Sequence, residues 1–218
     1  MRALAVLLAC APLALAGPIE VAIQVPLTPR IDMSAYDSVL VMNFLTDTTN
    51  IGNFNLNEET VKFFRNELKA RATTKVLDPG EIPAIEGAPG TIFADTSYWQ
   101  HVGGLYPGAL LVTGHVKLKA EQRSGFITEE VVSPTTGIPV PVQRFKDSKY
   151  VILSLSMYFI SGASGKVVHQ EDIQEEMTYD NPDESVLYGY YDLMDRILPR
   201  FLGTIISQKY KEIRYLLE

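Results

Sequence analysis

Residues 150–161 read YVILSLSMYFIS, residues 162–165 read GASG, and residues 167–179 read VVHQEDIQEEMTY. In the first run Val151, Leu153, Leu155, Met157 and Phe159 recur at every second position, so a strand there has one unbroken apolar face. The glycines and serine that follow are turn chemistry, so 167–179 returns as an antiparallel partner. Upstream, residues 109–121 show the same period: Leu110, Val112, Val116 and Leu118 fall on one face, with Thr113, His115, Lys117 and Lys119 on the other. Three long strands with one apolar face need a layer of helices over that face.

The flanking segments supply that layer. Residues 38–44 (SVLVMNF) are apolar on both faces, as expected of a central strand covered on both sides. A helix follows, capped by Asn55 or Asn57, favoured by Glu58 and Glu59 at its positive end, and carrying Val61, Phe64 and Leu68 as its stripe. Residues 74–77 read as a short strand and 78–90 as a proline- and glycine-rich loop. Asp95 can cap a short helix that carries Tyr98, Trp99 and Val102. Residues 19–25 alternate as a strand with one buried face. From 184 to 217 the spacing of Leu187, Tyr190, Met194, Ile197, Phe201 and Ile205 predicts a C-terminal helix that Pro199 should kink or restart, with a break there or a projecting end expected from its length. The expected class is therefore α/β (an α+β sandwich): a mixed sheet of about five or six strands with a long antiparallel meander, packed by helices.

The first sixteen residues read as an export signal: Arg2, an apolar run, then Ala14-Leu15-Ala16 before Gly17. Two further readings stay open. Leu7-Leu8-Ala9-Cys10 is similar to a lipobox, which would make Cys10 a lipidation site, and the run could remain as an uncleaved anchor. Cleavage after Ala16 leaves one domain over 17–218. The formal charge of −7 with no basic cluster argues against nucleic acid as a partner.

Residues 124–148 interrupt the meander, with Ser133-Pro134-Thr135-Thr136-Gly137 at their centre and short strands expected at 126–132 and 138–145. Val131, Val132, Ile138, Val140, Val142 and Phe145 would be costly to leave in water. A long insertion of this kind is a candidate partner-binding element, with a hairpin packed back on the body as the other reading. Tyr98 and Trp99 are a second candidate patch, with packing of their short helix onto the sheet as the other reading. The histidines His101, His115 and His169 show no metal-ligand spacing. His115 and His169 could meet across the sheet, and both are expected to be solvated. Gly165-Lys166 lacks the remaining residues of a phosphate loop. Glu171, Asp172, Glu175 and Glu176 read as a solvated edge. No catalytic residues, metal site or cofactor are expected.

Three segments resemble one family. SAYDSVLVMNF at 34–44, GALLVTGHV at 108–116 and the hairpin over 153–168 are similar to the strands of the curli-secretion lipoproteins (CsgG-like) and the amino-terminal domain of TolB. The chain departs from that pattern at Leu110, where an acidic residue is usual, and at Ser161-Gly162-Ala163-Ser164-Gly165, where Asp-x-x-Thr-Gly is usual. The resemblance implies a non-enzymatic exported envelope protein. It would bind a protein partner in assembly, transport or secretion, at the periplasmic side of the outer membrane, and homo-oligomers would be compatible with it. The alternative is a periplasmic module that binds a small ligand or glycan in a cleft beside Trp99.

Overall fold

The computed structural model describes residues 19–47, 50–51, 54–78, 85 and 87–216. Residues 1–18, with Cys10, lie outside them. In chain order the elements are β1 (Ile19–Leu27), β2 (Ser38–Thr46), β3 (Asn50–Ile51), β4 (Phe54–Asn55), α1 (Leu56–Arg71), β5 (Lys75–Val76), α2 (Pro89–Ile92), α3 (Thr96–Leu105), β6 (Ala109–Val132), β7 (Pro139–Ser161), β8 (Val167–Tyr179), α4 (Val186–Ile205) and β9 (Gln208–Leu216). Five strands form the main sheet in the order β5-β2-β6-β7-β8. The β5–β2 and β2–β6 pairs are parallel and the β6–β7–β8 meander is antiparallel, giving the expected mixed sheet.

β2 is buried on both faces for the expected reason. Val39 and Val41 enter the core under α1 and α4, while Leu40 and Met42 enter a second core under α2 and α3. The meander contributes Leu110, Val112, Val116, Val151, Leu153, Leu155, Met157 and Phe159 to the first core. α1 adds Phe64, and α4 adds Phe201, whose rings lie 4.2 Å apart. Asn55 caps α1, its side chain accepting from the Glu58 N–H. Asn57 instead ties the helix to the sheet, because its Oδ1 accepts from the Phe44 N–H at 2.7 Å, where the β2–β6 register shifts. Asp95 caps α3 by accepting from the N–H groups of Ser97 and Tyr98. α3 lies so close to the β7–β8 turn that a Cβ at Gly103 would sit 2.0 Å from the Gly162 carbonyl oxygen.

Three expectations fail at the ends of the chain. The C-terminal helix stops at Ile205, and 208–216 is instead β9, paired antiparallel with β1. The apolar stripe that predicts the helix has its last member at Ile205, so nothing holds a helix against the core beyond it. Pro199 does not break α4. It sits on the exposed side, where the carbonyl that it leaves unbonded one turn back faces water. β1 does not bury one face: it stands outside the main sheet in a two-stranded ribbon, with Ile23 and Leu27 exposed.

Candidate functional site

β6 and β7 run for 24 and 23 residues, twice what the sheet needs. β2 stops pairing with β6 at Val116, and β8 stops pairing with β7 at Lys149. From Arg123–Ser148 outward to Val132–Pro139 the two strands pair only with each other. At about 3.3 Å per residue this ribbon projects ~30 Å. The inserted hairpin is thus not two separate short strands but the outer half of β6 and β7. At its tip Gly137 adopts a left-handed φ of 68°, which favours glycine.

The ribbon is apolar without being packed. Val132 and Ile138 are each 62% exposed and Val140 is 40% exposed, with Val131 and Val142 half-buried. Pairing places Val131 opposite Val140 and Val132 opposite Pro139. Residues 131–142 contain no charged residue, whereas Glu129, Glu130 and Arg144 stand just behind. The structure therefore corrects the reading in which the hairpin packs back on the body. Phe145 is 63% exposed and stacks edge-on against Phe126, itself 75% exposed, with ring centroids 5.5 Å apart. Phe126 is absent from the candidates that the sequence suggests. Register could have found it, because a hairpin closed by the turn at 133–137 sets Phe126 opposite Phe145.

The base of the ribbon is held by polar contacts. The Arg123 guanidinium lies 3.4 Å over the Tyr150 ring, and the Tyr150 hydroxyl donates to Glu176, which pushes the phenol pKa up. Lys146 pairs with Asp180 at 3.1 Å. A cavity of about 270 Å³ beside these groups is lined by Arg123, Phe126, Lys146, Thr178 and Asp180.

The other candidates resolve differently. Trp99 is fully buried under α3, and its indole N–H donates to the Ile92 carbonyl at 2.8 Å. Tyr98 is half-buried against the Trp99 ring. Both are core side chains of the second face, so Trp99 cannot line a cleft for a ligand. His115 and His169 do not meet. His115 lies on the uncovered face of β6, with Nε2 2.7 Å from Asp47 Oδ1. His169 lies on the helix-covered face of β8, its ring 5.7 Å from that of Phe159. Lys117 Nζ also reaches Asp47 at 2.7 Å, and the hydrogen bonds from Lys117 and then His115 hold the Asp47 carboxyl below the usual carboxylate range. A cavity of about 300 Å³ next to this cluster is lined by Asp47, Leu118, Lys119, Ile152 and Ser154 among others.

Glu171 is not part of a solvated edge. Its carboxylate is buried, 3.2 Å from Arg30 Nη1 and 3.2 Å from Arg200 Nη2, and it accepts from the Thr204 hydroxyl at 3.2 Å. Asp172 and Glu176 do point outward. The Glu171 cluster joins β8, α4 and the segment after β1, so it is a clamp on the body. Its partners are distant in sequence, which is why the local pattern could not reveal it.

No family model matches the chain, and no curated protein matches it at a significant level. Solved structures similar in shape include the protein CT253 from Chlamydia trachomatis (12% identity, TM-score 0.43, 79% of this chain and 99% of that one). Lipoprotein GNA1162 from Neisseria meningitidis gives 11% identity and a TM-score of 0.40, over 76% of this chain and 98% of that one. The LpoB C-terminal domain from Salmonella enterica gives 10% and 0.31, over 65% of this chain and 83% of that one. At these distances the likenesses carry no inference about function.

Proposed function

We propose that this chain is a non-enzymatic, exported cell-envelope protein that captures a protein partner with the tip of the β6–β7 ribbon. The observation that carries the reading is the charge-free tip over 131–142, with Val132 and Ile138 each 62% exposed on a ribbon that adds nothing to the core. Side chains of this kind are costly in water at about 25 cal/mol per Å², and burial against a partner recovers that cost. The leader sequence and the resemblance to the curli-secretion and TolB strands support an envelope setting. Assembly, transport or secretion at the periplasmic face of the outer membrane follows from the same resemblance.

The test is site-specific photo-crosslinking from Val140 in envelope fractions, with Asp172 on the uncovered sheet face as the reference position. The reading predicts a discrete adduct from position 140 alone. It also predicts loss of that adduct when Val131, Val132, Ile138 and Val142 are replaced together by threonine. An adduct that survives the threonine variant, or equal adducts from both positions, would overturn it.

A further inference from the structure

The two long edges of the ribbon are chemically different. Backbone parity along the β6–β7 ladder is fixed at both ends. At the tip the Ser133 N–H donates to the Ile138 carbonyl at 3.0 Å, and at the base the Gly162 N–H donates to the Ala109 carbonyl at 3.1 Å. The register between them contains no bulge. Odd-numbered β6 residues and even-numbered β7 residues therefore bond to each other, and the alternate residues turn their N–H and C=O groups outward. On the β7 edge two of the outward positions are Pro139 and Pro141. Proline has no N–H to donate, so that edge is blunted against another strand. The β6 edge carries no such guard. Residues 118–132 include no proline, and among the described residues their outward backbone groups bond to no other element.

We propose that the β6 edge pairs antiparallel with the β6 edge of a second copy of this chain, about a two-fold axis through Phe126. Parity restricts the axis to a residue rather than a gap between two residues, because only the outward groups of even-numbered residues can meet. An axis at Phe126 brings Ala120 opposite Val132, which fills the edge from just beyond β2 to the tip. It sets Arg123 opposite Glu129, twice by symmetry, and both residues lie on the same face of the ribbon. It also sets Phe126 beside its own counterpart. The edge-on Phe126–Phe145 pairs of the two copies then form one row of four rings across a four-stranded sheet. This accounts for the two large apolar side chains that are most exposed among the described residues, at 75% and 63%. A two-stranded ribbon is marginal by itself, and four strands with an apolar row are not. The inference goes beyond the partner-capture reading: it uses the shaft and edge of the ribbon rather than the tip, so either stands if the other fails.

Sedimentation velocity of the purified full chain over a concentration series tests it. The expected result is a reversible monomer–dimer equilibrium. Thr128 and Gln143 face each other across the ladder and turn outward on opposite edges. Thr128→Pro should raise the dimer dissociation constant about tenfold or more by removing two symmetry-related hydrogen bonds, while Gln143→Pro should leave it unchanged. Arg123→Glu should weaken the dimer, and Arg123→Glu with Glu129→Arg should restore it. Fluorescence of the single Trp99 checks that each variant keeps its body. A chain monomeric at all concentrations would overturn the proposal, as would equal effects of the two proline variants. The charge pair decides separately, since failure of the double variant to recover the dimer would overturn the register.

Discussion

The inner and outer halves of the β6–β7 hairpin are one pair of strands in two different environments. Inside, Leu110, Val112, Leu153, Leu155 and Phe159 are fully or almost fully buried under α1 and α4. Outside, Phe126, Val132, Ile138 and Phe145 are as apolar and lie mostly in water. Both halves are extended strand with large apolar residues, so strand pattern alone does not decide burial. The neighbours do: β2 and the helices cover the inner half, and nothing among the described residues covers the outer half. Apolar residues in the first region hold the fold, and those in the second are available for contact.

The sharpest way to break this contrast is to exchange large for small in each half. Leu155→Ala should cost ~2–5 kcal/mol through lost transfer energy and a cavity. Phe145→Ala should cost under ~1 kcal/mol, because its ring leaves no cavity behind. Urea midpoints measure both, and similar shifts would erase the distinction. Ser154→Ala, one residue from Leu155 on the uncovered face, should also stay within ~0.5 kcal/mol.

The Glu171 clamp gives an intermediate effect. Glu171→Ala leaves Arg30 and Arg200 without their shared carboxylate, but both guanidiniums are half exposed and can be rehydrated. The expected loss is therefore ~1–3 kcal/mol rather than that of a wholly buried pair. Thermal unfolding reads it, and a loss as large as that of Leu155→Ala would mean that the cluster is worth more than its exposure allows.

Most of the body is legible in the sequence because its signals are local. β2, the stripe of α1 and the faces of the meander follow from spacing, and the structure places Val61, Phe64, Leu68 and Leu155 in the core. What the sequence hides depends on distant partners. β9 reads as helix because its pairing partner is β1, nearly the whole chain away. Glu171 reads as solvated because Arg30 and Arg200 come from other elements. Trp99 stays open between a surface patch and a core contact, because an aromatic pair on a short helix looks the same whether it faces in or out, and the structure settles it as core. The ribbon is legible as an insertion, but its exposure is not, since apolar alternation signals a strand and not what covers it.

The smallest expected effect is on pH dependence. Asp47 is held below the usual carboxylate range by Lys117 and then His115, and Asp78 by Lys69 and Arg65. Each folded-state pKa lies below the unfolded value of about 3.9. Their stabilisation is therefore present above that pH and is lost as pH falls through the folded pKa. Asp47→Asn and Asp78→Asn should each flatten the acid limb of the stability curve slightly, with the difference shrinking in high salt. Unchanged acid limbs would place the acid sensitivity in other groups.

The central claim is that the body folds without the outer ribbon. Residues 127–144 can be replaced by a short Gly/Ser link, since loop length has a weak entropic effect, and urea unfolding followed by the fluorescence of Trp99, the only tryptophan in the chain. The account predicts one cooperative transition with a midpoint within about 0.5 M urea of the intact chain, equivalent to ~1 kcal/mol at a typical slope. A broad, non-cooperative transition, or a midpoint lowered as far as that of Leu155→Ala, would show that the ribbon is part of the fold and would contradict the account.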